Sequence, residues 1–132
     1  MTMINPYLIF TGQCREAMTF YRDCFGGVLT MQTVAESPMA DQWPEAVQQH
    51  ILHASLTKDS LLLLGSDMGG AGTLTQGNTM VLALKCDTDE EIENFFNNLS
   101  EGGHVTHSLH RFFNGTIGSL TDKFGMSWVL KL

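Results

Sequence analysis

The sequence predicts an α+β fold built from two βαβββ modules, and three observations carry that expectation. Apolar residues recur at helical spacing in two stretches, each closed by a Gly-Gly pair. Short strand-like runs flank both stretches. The order strand–helix–strand–strand–strand then occurs twice along 132 residues. A chain of this length supports one domain with a sizeable core. We read residues 1–132 as a single domain made of one module over 1–68 and a second over 78–132.

The elements follow in order. Ile4 to Phe10 is an apolar run behind Asn5-Pro6 and reads as a strand. Cys14, Ala17, Met18, Tyr21 and Phe25 form one stripe at helical period, and Gly26-Gly27 supplies the left-handed stop. Val28 to Val34 is a second strand. Glu36 to Val47, with Pro38 and Pro44, is expected to be a loop and the mobile element of its module. Gln49 to Thr57 and Ser60 to Gly65 are strands joined by a turn at Lys58-Asp59. Ser66 to Gly77 holds Gly69, Gly70, Gly72 and Gly77 and reads as a long connection.

The second module repeats the pattern. Thr79 to Cys86 is a strand. Thr88 and Glu91 form a capping box, and Asp89, Glu90 and Glu91 complement the positive end of the helix dipole. Ile92, Phe95, Phe96 and Leu99 are the apolar stripe, and Gly102-Gly103 ends the helix. Strands follow over His104–Leu109, Gly115–Thr121 and Met126–Lys131, with a turn at Asp122–Gly125. Phe20-Tyr21 matches Phe95-Phe96 at an offset of 75 residues, and Gly26-Gly27 matches Gly102-Gly103 at an offset of 76. Each helix stripe covers one face of its sheet and leaves the other open. Two open faces paired edge to edge would form a curved mixed sheet around a central trough suited to a small molecule.

Composition excludes several roles. With 43% hydrophobic and only 16% charged residues, the chain is globular and not disordered. Its net charge is −7 and its seven Lys and Arg residues are scattered, which argues against nucleic acid and against an anionic membrane surface. The longest aliphatic run, Leu61 to Leu64, is far short of a membrane span, and Met1-Thr2-Met3 opens no signal-like segment. Three cysteines without CxxC spacing fit a cytoplasmic protein with inert thiols. Neither a GxSxG nucleophile motif, nor HExxH, nor a phosphate loop is present.

Candidate ligand contacts come from strand alternation. Ile51, His53, Ser55 and Thr57 are expected on the trough face, with Leu52, Ala54 and Leu56 toward the helix. His53 and Ser55 are therefore the first candidates for substrate binding. Asp67, at a strand end, is a second candidate, with a turn or cap aspartate as the alternative. Tyr7 and Phe10 point to opposite faces of the first strand, and Phe10 is taken as the trough residue. Phe112, at the start of a loop, and Trp128 complete the set, each against the alternative of core packing. His50 and His53 point to opposite faces, and His104, His107 and His110 are expected to alternate, so no shared metal site is read from them.

Asn5-Pro6-Tyr7-Leu8-Ile9-Phe10, Cys14-Arg15-Glu16-Ala17, Phe20-Tyr21 and Phe25-Gly26-Gly27 together resemble the opening module of the vicinal oxygen chelate superfamily, the glyoxalase, bleomycin-resistance and extradiol dioxygenase group. His53-Ala54, Gly65-Ser66-Asp67 and the closing run Gly118 to Trp128 resemble its PhnB-like branch, some of whose members carry a demethylubiquinone methyltransferase label. The resemblance spans nearly the whole chain. It implies the paired-module fold, a homodimer, and in many members a divalent metal held by one residue from each of four strands. Carried over, three of those positions fall at Pro6, Val81 and about Val129, which bring no ligand atom, and only Asp67 could serve at the fourth. The expectation is a small-molecule-binding protein of this superfamily without the usual metal site and without a cofactor. A metal-dependent lyase or dioxygenase-like enzyme with a rearranged site around Asp67 and His53 is the alternative. A third reading has the trough serve dimerisation alone. No methyltransferase cofactor motif is seen, and the chain is too short for a doubly wound nucleotide fold with its own substrate site.

Overall fold

The computed structural model describes residues 1–69 and 73–132, so Gly70 and Gly72 of the expected glycine-rich connection lie outside the described residues. The chain divides into two compact units, Met1–Leu74 and Thr75–Leu132. Each is an α+β unit with one four-stranded mixed sheet and one long helix.

In the first unit, β1 (Tyr7–Ile9) leads to α1 (Cys14–Phe25), followed by β2 (Val28–Thr33), β3 (Ile51–Lys58) and β4 (Leu61–Ser66). The strand order is β1-β4-β3-β2, with β1 parallel to β4 and the other pairs antiparallel. α1 covers one face because its stripe is continuous: Cys14, Ala17, Met18, Tyr21 and Phe25 are all buried. Twelve residues are too few to hold a helix alone, so the packing stabilises it. Full burial of Met18 or Tyr21 contributes on the order of 2 kcal/mol each. Gly65 lets α1 approach the sheet, since a Cβ there would meet the sulfur atoms of Met18 and Cys14.

Beyond α1 the chain turns back at Gly26 and Gly27, both at positive φ. A side chain at Gly27 would also collide with the carbonyl of Thr57. The 36–47 segment, expected as a loop, is folded into 3₁₀ turns at Ala40–Gln42 and Glu45–Val47. Gln48 pins them by donating from Nε2 to the carbonyls of Ala40 and Trp43.

The second unit comprises β5 (Leu82–Lys85), α2 (Asp89–Ser100), β6 (His104–Phe112), β7 (Gly115–Thr121) and β8 (Ser127–Lys131). Its order, β5-β8-β7-β6, repeats that of the first sheet, with β5 parallel to β8. Thr88 caps α2 by accepting the N–H of Glu91 at 3.1 Å. The Glu91 carboxylate reaches back to the N–H of Asp87, one residue earlier than a strict capping box would have it. Ile92, Phe96 and Leu99 are buried, whereas Phe95 is only half-buried.

Two sequence expectations are corrected here. β6 continues through Phe112, which the sequence placed in a loop, and the chain reverses at Phe113 with φ +54°. β6 also carries two register shifts, so His104, His107 and His110 stand opposite Thr121, Ser119 and Ile117. Those are alternate positions of β7. The three histidines therefore share one face instead of alternating.

Candidate functional site

In each unit the helix leaves the far face of the sheet open, and that face collects the polar strand residues. In the first unit Leu8, Ala54, Leu56, Leu63 and Gly65 are buried under α1. Their strand neighbours point the other way. One cross-sheet row on the open face reads Thr30, Ser55, Leu64, Tyr7, and His53 faces Gln32 in the next. Val28, Thr57 and Leu62 line up beyond. The face is thus hydroxyl- and amide-bearing over β2 and β3, and apolar over β4.

Two hydrogen bonds organise it. The Oγ1 of Thr30 and the Oγ of Ser55 are 2.7 Å apart. The hydroxyl of Tyr7 and Nδ1 of His53 are 3.2 Å apart, with the rings edge-to-face at 5.8 Å between centroids. If the tyrosine donates, Nδ1 accepts and Nε2 carries the proton, leaving a donor free for a ligand. His53, Ser55, Thr30 and Tyr7 are solvent-accessible, so none has lost its capacity to contact a small molecule.

Asp67 is occupied differently. Its Oδ1 accepts the N–H groups of Gly12 and Cys14 at 2.8 and 3.0 Å, and its Oδ2 accepts that of Ile51 at 2.9 Å. One carboxylate thus ties the entrance of α1, the start of β3 and the end of β4. Phe10 is 3% exposed and belongs to the core, so Tyr7, not Phe10, is the β1 ring on the open face. Trp128 is 4% exposed and donates its indole N–H to Oδ2 of Asp122. Phe112 is exposed on the second unit, edge-to-face with Phe113.

The open face of the second unit is built alike. Gly118, Leu120, Trp128 and Leu130 are buried, and Gly118 gives α2 room at Phe96. Ser119, Val129 and Ala83 form a row on the other side. Ser119 Oγ lies 2.7 Å from Thr106 Oγ1 and 2.9 Å from His107 Nδ1. The Thr–Ser hydroxyl pair is therefore present in both units, Thr106 following Thr30 by the same 76 residues that separate the Gly-Gly pairs.

The four-strand metal position does not fit this chain. Pro6 and Val81 lie just ahead of β1 and β5, and Val129 lies in β8; none has a donor atom. Asp67 already holds three amides. Among the described residues no three His, Cys, Asp or Glu side chains gather as a metal cage requires. The buried thiols are not primed for chemistry. Burial, aided by Asp67, pushes Cys14 up to about 12, and burial, with Glu91 and Asp87, pushes Cys86 up to about 11.

Comparison with known proteins gives the chain its relatives. The family model for 3-demethylubiquinone-9 3-methyltransferase matches residues 2–131. Protein YjdN of Escherichia coli strain K12 is 27% identical over 146 residues, covering 98% of this chain and 94% of YjdN. Protein PA1353 from Pseudomonas aeruginosa has a similar structure at TM-score 0.86 and 36% identity, covering 98% of this chain and 96% of that one. The PhnB protein from Bacillus cereus follows at TM-score 0.78 and 26% identity, covering 99% of both. Lactoylglutathione lyase and glyoxalase-related proteins share the fold alone, at 12–18% identity and TM-scores of 0.59–0.66.

Proposed function

The chain belongs to the 3-demethylubiquinone-9 3-methyltransferase family, in the PhnB-like branch of the glyoxalase/bleomycin resistance superfamily, and we propose that it works there as a small-molecule-binding protein without the superfamily's metal site. The observation that carries this reading is the open face of the first unit. Its polar half, around His53, Ser55 and Thr30, is solvent-accessible and preorganised by hydrogen bonds, and it adjoins the apolar half at Leu62 and Leu64. A surface of that kind supplies orientation through a few polar groups and affinity through apolar contact.

Within this reading His53 and Ser55 contact the ligand directly and Tyr7 sets the tautomer of His53. Phe112 offers an exposed ring on the second unit. Asp67 and Phe10 support the fold of the first unit, and Trp128 supports that of the second. Part of the same reading is a cytoplasmic homodimer, in which the three buried free cysteines stay reduced. The family description names a methyltransferase. Each sheet here has its helix on one face only, whereas a doubly wound nucleotide-binding sheet is covered on both, so the reading rests on binding and assigns no methyl transfer.

Thermal-shift screening against metabolites and antibiotics, repeated on His53→Gln and Ser55→Ala, tests it. A compound that raises the melting temperature of the parent and loses that effect in both variants is the expected result. No stabilising compound, or equal stabilisation of the variants, would overturn it.

A further inference from the structure

The carboxylates and the strands of this acidic protein are kept apart. Among the described residues none of the fourteen Asp and Glu side chains lies on a β-strand; all sit on helices, turns or loops. In the second unit they are Asp87 and its followers at the start of α2, then Glu93, Glu101 and Asp122. The strands of that unit carry cations instead. Lys85 of β5 and Lys131 of β8 stand directly opposite each other across the parallel pair, and both are exposed.

They also share the open face. Leu84 and Leu130, the residues beside them, belong to the α2 side, where Leu130 is fully buried. The same row continues through Ile117 to His110. Like charges placed directly opposite in a sheet destabilise it. Here no ion-pair partner relieves either ammonium among the described residues. A chain with twice as many acids as bases has nonetheless set two lysines side by side on a strand face that carries no Asp or Glu side chain among the described residues.

We propose that Lys85 and Lys131 form a binding position for a small oxyanion, a phosphate or carboxylate group, on the open face of the second unit. An oxyanion between two ammoniums accepts charge-assisted hydrogen bonds from both and removes their repulsion. Nothing in this assignment depends on the first unit's face. His53→Gln is accordingly expected to leave it intact, which separates its failure from failure of the reading above.

Titration calorimetry with inorganic phosphate and, separately, with malonate, at constant ionic strength in chloride buffer, tests the assignment. Saturable binding of at least one anion is expected, and which of the two binds distinguishes a phosphoryl from a carboxylate ligand. Lys85→Met and Lys131→Met should each weaken it by roughly tenfold or more. Lys131→Arg and Lys123→Met, the latter in the β7–β8 turn, should retain it. Without anion, both methionine variants should melt no lower than the parent, because the repulsion is gone. Absence of saturable heat with both anions, or heat that survives in the double Lys85→Met/Lys131→Met variant, overturns the proposal.

Discussion

The carboxylate of Asp67 holds the amide of Ile51 at 2.9 Å, and it does so while its other oxygen takes the N–H groups of Gly12 and Cys14. Three backbone segments thus meet at one side chain. Removing it strands three donors at the entrance of α1 and the start of β3. Asp67→Ala is expected to destabilise the protein by about 2–4 kcal/mol, and Asp67→Asn by less, since the amide keeps one acceptor oxygen. Urea denaturation monitored by circular dichroism measures both. A change below about 0.5 kcal/mol in the alanine variant would mean that the carboxylate is not structural.

This role was half legible in the sequence. The Gly-Gly punctuation and the i, i+3, i+4 stripes located both helices, and the repeat of strand order located both sheets. What alternation could not supply was which face of β1 meets the helix; that is decided by α1 docking over Gly65, and it assigns Phe10 to the core and Tyr7 to the open face. The histidines of β6 show the limit more sharply. A period of two predicts that His104, His107 and His110 alternate, but each register shift adds a residue to one strand and resets the parity. Asn114-Gly115 marks the reversal in the sequence, but the left-handed residue is Phe113, a type that seldom takes positive φ, so the strand runs up to it where the sequence reads as the start of a loop. The threonines of the two Thr–Ser pairs, Thr30 and Thr106, stand 76 residues apart in the sequence, but only cross-strand register shows that each has a serine partner.

Trp128 tests how far a buried polar contact fixes the second unit. Its indole N–H reaches Oδ2 of Asp122 at 2.8 Å, and Oδ1 of the same carboxylate accepts the N–H groups of Phe124 and Met126 in the β7–β8 turn. Asp122 is 3% exposed, so the indole–carboxylate bond is made away from solvent, where it counts for more than at the surface. Trp128→Phe is expected to cost roughly 2–4 kcal/mol from lost packing and the lost charge-assisted hydrogen bond together. Asp122→Asn should also destabilise, because its one acceptor oxygen can keep either the two turn amides or the indole N–H but not all three. Both are read from denaturation midpoints at unchanged m-value.

The two units should also fail alike where they are built alike. Gly27 and Gly103 each precede the second strand of their module, and a Cβ at either would run into a backbone carbonyl of the facing strand, Thr57 in one and Thr121 in the other. Neither carbonyl can move without disturbing its ladder. Gly27→Ala and Gly103→Ala are each expected to destabilise by roughly 1–3 kcal/mol, Gly27→Ala the more because φ there is +97°. Gly77→Ala, where nothing lies within 4 Å, serves as the control and should stay within about 0.5 kcal/mol of the parent.

The buried thiols predict how stability depends on alkaline pH. Cys14 is held protonated up to about 12 and Cys86 up to about 11, in both cases chiefly because burial disfavours the thiolate. In the unfolded chain both ionise near 9. Below that pH both states carry the thiol protons and the two groups leave stability unchanged. Above it the unfolded state releases protons that the folded state still binds, so stability falls as pH rises. The fall should be visible between about pH 9 and pH 10.5 in urea titrations, and it should be shallower in a Cys14→Ala/Cys86→Ala variant than in the parent. The same two thiols should resist a disulfide reagent at about pH 8 in the folded protein and react once urea unfolds it. An identical pH slope in parent and variant would show that these thiols ionise as readily in the fold as outside it.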